Sequence, residues 1–156
     1  MRFAVLVEDT SKDDKLIAEH GLSIFFQKDG KKFLFDVGQS DAYAKNSKKL
    51  DVNLKDVDYV VLSHGHYDHT QGLEFLRDIK AGKVITHSHA VLPKYNGDRY
   101  IGLPKNIEKS DIVLVDKPLR LSKNVMFLGQ IKGERRNSLG YYVKDDVKHT
   151  DFLLDD

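Results

Sequence analysis

Three histidines and one aspartate fall within six consecutive residues, His64-Gly65-His66-Tyr67-Asp68-His69. Imidazole nitrogen and carboxylate oxygen are the ligand types that suit zinc, iron or manganese. In extended chain, residues i and i+2 face the same side, so His64 and His66 can meet one ion together. Asp68 and His69 follow in the turn that enters the next element, within reach of a second ion or able to complete the first. Gly65 lets the backbone come close to its neighbours. One histidine in such a loop reads as an ordinary polar side chain. Three with an interleaved acid, directly after a buried strand, point to metal binding. A divalent ion held there lowers the pKa of its water to about 7 and so generates hydroxide at neutral pH, and two ions can clamp a substrate oxygen between them. Asp68 is suited to orient the nucleophilic water or to bind the second ion.

The elements around this loop must hold it rigidly. Residues 59–62, four apolar side chains without polar alternation, read as a buried strand that runs straight into Ser63 and His64. Thr70 then opens a helix, with Glu74 as a first-turn acid and Leu73, Leu76 and Ile79 on one face. Upstream, residues 2–7 and 22–27 read as strands, and Asp29-Gly30 as a two-residue hairpin turn into a returning strand at 31–36. A helix capped by Ser40 or Asp41 extends to about residue 50. Downstream, 83–86 reads as a strand, 89–95 as a short helix and 96–107 as a loop rich in Gly and Pro. Strands are expected at 112–115, 124–128 and 138–143. Strands alternating with helices, together with hairpins, predict a mixed α/β (α+β) fold without an internal repeat or linker.

Composition narrows the function. The 156 residues suffice for one domain with a core, and 40% hydrophobic against 31% charged residues is a globular balance. With 25 basic and 24 acidic residues the net charge is +1, which gives no basic face for nucleic acid. Cysteine is absent, so any metal must be held by histidine and carboxylate. Neither a signal-peptide core nor a membrane span is visible, and a cytoplasmic location is expected.

Residues 63–73, SHGHYDHTQGL, match the HxHxDH metal motif of the metallo-β-lactamase superfamily, including the preceding Ser and the following Gly-Leu. The chain resembles that superfamily, and within it a branch of metal-dependent hydrolases that includes a dihydropterin-forming enzyme of the methanopterin pathway. The likeness extends to Glu19-His20-Gly21-Leu22-Ser23 and Phe35-Asp36-Val37-Gly38-Gln39-Ser40, and more loosely to His87, Gly102, Gly129 and Asp155-Asp156. The resemblance implies an αβ/βα sandwich with His64, His66, Asp68 and His69 as metal ligands. It places Asp36 and Gly38 on a strand-end loop facing the site. Asp36 is then either a partner that orients a ligand histidine or a plain strand-terminating acid.

The superfamily fold has two similar halves. The second supplies a bridging acid and two more histidines, one of them after a Gly-Cys pair in this branch. With no cysteine and an end at DFLLDD, residues 1–156 are expected to be a single domain corresponding to the first half of the fold. Catalytic zinc usually holds three protein ligands and a water, so the first-half residues alone leave it underligated. Either a homo-oligomer or a complementing second chain completes the site, or the sequence is a truncated product, or activity is lost. His87 and His89 are the local substitutes, against their reading as exposed strand-end histidines. His20 matches a family motif position and can face substrate; His149 has no supporting context. Tyr67 reads equally as site-facing or packed. Lys94 and Arg99 could meet an anionic substrate or be ordinary surface charge, and so could Glu134-Arg135-Arg136, whose family counterpart lies near the site mouth.

The expectation is a metal-dependent hydrolase acting on a small molecule through metal-bound hydroxide. It would carry one or two zinc ions, with iron or manganese as alternatives, and attack an ester, phosphoester or amide. The second reading is a catalytically incomplete metal-binding half-domain that needs a partner chain or self-association. A redox role, known from di-iron members of the superfamily, is disfavoured by the intact His64 and His69. The fold itself names no substrate.

Overall fold

The structure is a computed structural model that describes residues 2–130 and 138–152. The chain opens with β1 (Arg2–Val7), β2 (Ser23–Lys28) and β3 (Lys31–Phe35), an antiparallel meander. Asp29 and Gly30, at φ 54° and 74°, make the predicted tight turn between β2 and β3. Helix α1 (Ala42–Lys49) carries the chain across to β4 (Tyr59–Val61), which lies parallel to β3. Helix α2 (Tyr67–Thr70) follows and continues as a 3₁₀ helix over Gln71–Ile79 before β5 (Lys83–Thr86), parallel to β4. A 3₁₀ turn at Ser88–Val91 leads into β6 (Lys94–Asn96) and β7 (Arg99–Tyr100), and β8 (Ile112–Leu114) returns beside β5. The chain continues through the hairpin β9 (Leu119–Ser122) and β10 (Val125–Phe127), then β11 (Ser138–Lys144) and β12 (Val147–Phe152).

Three sheets result. The first has six strands in the order β1-β2-β3-β4-β5-β8, the second is the pair β10-β9, and the third has the order β12-β11-β6-β7. The main core lies on one face of the six-stranded sheet. There Leu6, Phe25, Leu34 and Val60 pack against Tyr43 of α1 and Leu73 and Ile79 of the 3₁₀ helix. Polar loop 8–20 is tied to this layer through the buried Asn46. Its amide nitrogen donates to the carbonyls of Leu6 and Ile17, both at 2.8 Å, while its oxygen accepts the Ile17 N–H at 2.9 Å. Ser40 Oγ accepts the Ala42 N–H at 3.0 Å, so Ser40 rather than Asp41 supplies the side-chain acceptor at the start of α1.

The opposite face carries Phe33, Val61 and Ile85 against Leu121 of β9. Phe33 stacks between Phe26 and Tyr59, with ring centroids at 4.7 and 5.5 Å. Complete burial of such a ring contributes about 1.5–3 kcal/mol. Coverage of this face is partial. Phe3 and Val5 on β1 are 56% and 42% exposed, and an apolar groove of ≈ 280 Å³ runs between Phe35 and Phe127.

Several sequence expectations change. The predicted helix from Thr70 starts earlier, at Tyr67, and tightens to 3₁₀ geometry after Thr70. Leu73, Leu76 and Ile79 are spaced by threes, the period of a 3₁₀ rather than an α-helix. The predicted helix at 89–95 is a 3₁₀ turn followed by β6, because Leu92 is extended before Pro93. The expected loop at 96–107 contains β7, and β9 and β12 were not expected. Glu134-Arg135-Arg136 and Asp155-Asp156 lie outside the described residues. No helix among the described residues is long and apolar enough to cross a membrane.

Candidate metal centre

Because β3, β4 and β5 run parallel in register, with Phe35 beside Val61 and Val61 beside Ile85, the segments after them emerge on one side. These segments are 36–38, 62–69 and 87–89, and the carboxyl ends of parallel strands are where α/β sheets place their sites. A cleft of ≈ 830 Å³ opens there, lined by His20, His64, His66, Asp68, His69 and Arg99 among others. The four residues singled out from the sequence therefore share one cavity. The His64 ring lies 4.7 Å from His66 and 4.2 Å from His69, centroid to centroid.

Each of the three imidazoles has one nitrogen committed to a neighbour. Asp36 is central. It is fully buried, sits at the end of β3 with φ 54°, and adopts a backbone state that costs a side-chain-bearing residue on the order of 1 kcal/mol. Its Oδ1 accepts the Ser63 N–H at 2.7 Å. Its Oδ2 accepts from Ser63 Oγ at 2.7 Å and from His69 Nδ1 at 2.8 Å. Since the Ser63 hydroxyl gives its only proton to Asp36, it accepts from His64 Nδ1 at 2.8 Å. Asp36 thus sets the tautomer of two histidines, leaving Nε2 of both as the lone-pair nitrogen, which decides its role in favour of orienting the site. His66 is committed through Nε2, 2.9 Å from Asp151 Oδ2, which leaves Nδ1 for the cleft that the ring lines.

Asp68 Oδ2 lies 3.6 Å from His69 Nε2 and 3.3 Å from His20 Nε2. His20 Nδ1 in turn lies 3.2 Å from Asp9. His20 is therefore at the cleft and holds Asp68 from the far side. Close backbone approaches fix the loop. A Cβ on Gly65 would stand 2.0 Å from the Ala90 carbonyl oxygen, and one on Gly21, whose φ is 129°, 2.0 Å from that of Asp68. His69 O accepts the Val37 N–H at 3.0 Å, so the loop after β3 is stitched to the metal loop by backbone as well as by Asp36.

Electrostatics follow the same division. Burial, then the neighbouring His69, His66 and Lys94, pushes the pKa of His64 down to about 2, so the ring is neutral and ready to ligate. Burial also acts to lower His69, but the hydrogen bond and charge of Asp36, with Asp68 behind them, raise it above the usual imidazole value. A proton and a cation therefore compete for His69 Nε2, and metal affinity falls with falling pH. Burial acts to raise Asp151, yet the bonds from His66 and Lys94 hold it below the ordinary carboxylate range.

Among the described residues no group of three or more His, Asp or Glu side chains forms a ready-made cage for an ion. The residues nonetheless fit a cation chemically: three imidazoles converge, their outward nitrogens are anchored, and Asp68 stands beside the inward nitrogen of His69. The set is open, with ligand types gathered but the shell not closed.

Other expectations resolve differently. His87 and His89 do not line the cleft. His87 Nε2 faces Asp116 at 3.4 Å, and the His89 ring lies 5.5 Å from that of Tyr142. His87 is buried rather than exposed. His149 stacks on Tyr142 at 5.1 Å on β12, away from the cleft lining. Tyr67 does line the cleft, with the Arg99 guanidinium 5.1 Å above its ring at the rim. Lys94, read as surface charge or a substrate contact, is completely buried with its Nζ 3.0 Å from Asp151 Oδ1. Sequence reasoning did not find Ser63, Asp9 or Asp151. Only Ser63 carried a signal, as the residue that precedes the motif.

The family model described as the metallo-beta-lactamase superfamily matches residues 16–153. An uncharacterized protein of Methanocaldococcus jannaschii, MJ0448, is 34% identical over 165 residues, covering 96% of this chain and 64% of its own length. The 7,8-dihydropterin-6-methyl-4-(beta-D-ribofuranosyl)-aminobenzene-5'-phosphate synthase of the same organism is 32% identical over 136 residues, covering 76% of this chain and 46% of its own. Among solved structures, Tm1679, described as a metal-dependent hydrolase of the beta-lactamase superfamily, superposes with a TM-score of 0.78 at 28% identity. That match covers 97% of this chain and 57% of Tm1679. The chain thus spans between about half and two thirds of the length of these relatives.

Proposed function

The chain belongs to the metallo-beta-lactamase superfamily, and from that membership we propose that it is a metal-dependent hydrolase built on His64, His66, Asp68 and His69. The observation that carries this reading is the shared cleft in which three histidine rings converge with their outer nitrogens held by Ser63, Asp151 and Asp36. Zinc, as one or two ions, suits imidazole and carboxylate donors, with iron or manganese as alternatives. Such an ion, when bound, supplies water acidic enough to act at neutral pH. His64 offers Nε2, His66 Nδ1 and His69 Nε2. Asp68, steadied by His20, orients the attacking water or joins a second ligand set. The cleft admits a small molecule, and Arg99 and Tyr67 form part of its wall. Ester, phosphoester and amide substrates remain the class that this chemistry serves.

Purified protein expressed in zinc-supplemented medium is expected to carry metal by mass spectrometry and to turn over a generic phosphodiester or thioester. Metal-free protein from such medium would contradict the reading.

A second reading, a metal-binding half that acts with further protein, is favoured by two observations. The ligand set is open among the described residues, and apolar side chains are exposed on both edge strands of the six-stranded sheet, Phe3 and Val5 on β1 and Val113 on β8. Apolar side chains left open on edge strands favour association with another chain. Self-association, as a homo-oligomer, is the expected outcome in light scattering, and a monomer at tens of micromolar would exclude it. Turnover by the isolated chain would decide for the first reading.

A further inference from the structure

On the reading that the loop binds metal, we propose that Lys94 and Asp151 form a buried positioning pair for His66, one that dictates which nitrogen of that ring faces the cleft. The three groups come from distant parts of the chain. Lys94 opens β6, Asp151 lies near the end of β12, and His66 sits before α2. Lys94 is 0% exposed and Asp151 1%. One carboxylate oxygen accepts from Lys94 Nζ at 3.0 Å and the other stands 2.9 Å from His66 Nε2.

Stability alone is a poor reason for this arrangement. Taking an ammonium and a carboxylate out of water is costly, and well-packed apolar residues often do as well or better in the same volume. What the pair does supply is direction. A lysine ammonium only donates and an ionised carboxylate only accepts. With one oxygen held by Lys94, the other must receive a proton from His66, which places N–H on Nε2 and the lone pair on Nδ1. The β6–β12 sheet is thereby coupled to the metal loop through one carboxylate, much as Asp36 couples β3 to His64 and His69.

The donor-only nature of Lys94 makes the proposal testable in the full chain by Asp151→Asn. The ammonium would hold the carboxamide oxygen, turning the NH2 toward His66 Nε2. That nitrogen would become an acceptor, and its proton would move to Nδ1, the position needed for metal. Two readouts follow: the His66 tautomer in metal-free protein by long-range ¹⁵N–¹H correlation, and zinc affinity by competition with a chromophoric chelator. Wild type should show Nε2–H. Asp151→Asn should show Nδ1–H and bind zinc about 10–100-fold more weakly, the usual effect of losing an outer partner. Adding Lys94→Met to Asp151→Asn frees the carboxamide to turn its oxygen back, so the double variant should recover most of the lost affinity. A merely structural pair would leave the double variant as weak as the single or weaker.

Nδ1–H in wild type, or an unchanged tautomer and affinity in Asp151→Asn, would overturn the proposal while leaving metal binding intact. Wild type that binds no zinc, with the proton still moving to Nδ1 in Asp151→Asn, would support the positioning role and reject the metal reading. Should Asp151→Asn fail to fold, the double variant, which buries no ion pair, carries the test. Nε2–H as the major His66 tautomer, with zinc affinity close to wild type, is then expected, and Nδ1–H with weak zinc binding would overturn the proposal.

Discussion

Protein carrying His64→Ala and His66→Ala is expected to emerge from zinc-supplemented expression without metal, while wild type retains it. These two rings supply the paired donors of the loop, Nε2 of His64 and Nδ1 of His66, and their centroids lie only 4.7 Å apart. The remaining Asp68 and His69 offer two donors, one short of the three protein ligands typical of a catalytic zinc site. The loss should exceed the roughly 10–100-fold caused by removing an outer partner. Both histidines are buried, so the comparison needs circular dichroism showing that the variant keeps the native spectrum. Retention of stoichiometric metal by a folded double variant would mean that the ion binds elsewhere.

The second large effect is expected at Asp36. Its carboxylate receives three donors: the Ser63 N–H, the Ser63 hydroxyl and His69 Nδ1. Asp36→Asn keeps the shape but replaces one acceptor oxygen by an NH2 group, which must then face at least one of those donors. Two consequences follow. A buried donor left without an acceptor costs about 1–3 kcal/mol, read as a lowered urea midpoint. The orientation of both His64 and His69 loosens, so zinc affinity should fall about 10–100-fold. His20→Gln, by contrast, reaches the metal loop only through the outer side of Asp68 and should have the smaller effect on metal. Asp36→Asn with wild-type affinity would show that the strand-end acid merely terminates β3.

How much of this site could be read in the sequence depends on how local its parts are. The metal loop was legible because its ligands sit within six consecutive residues, where strand and turn geometry alone bring them together. The β2–β3 hairpin was legible for the same reason, since Asp29-Gly30 encodes its own turn. Lys94 reads as surface charge because a lysine in a short polar segment ordinarily faces water, while its burial depends on groups such as Asp151 that lie far along the chain. Asp151 and His66 are 85 residues apart in sequence. No periodicity within β12 announces such a contact, since Val147, Lys148, His149 and Thr150 are all exposed. The 3₁₀ geometry after Thr70 was present in the spacing of Leu73, Leu76 and Ile79. That spacing alone does not announce it, because 3₁₀ segments of nine residues are uncommon.

His87 and His89 illustrate the opposite error, of proximity inferred from topology. β4 and β5 are parallel neighbours, so their ends do lie on one side. The 3₁₀ turn at Ser88–Val91 nevertheless directs His87 to Asp116, and His89 packs by Tyr142 of the third sheet. Strand order places backbones, while the next few residues decide where a side chain goes.

Anomalous diffraction at the zinc edge, from crystals grown with zinc, bears most directly on the central claim. A peak about 2.0–2.1 Å from His64 Nε2 and His66 Nδ1, with Asp68 and His69 at the same or an adjacent peak, is the expected result. Crystals in which those four side chains point into solvent, with any zinc held by other residues, would contradict it.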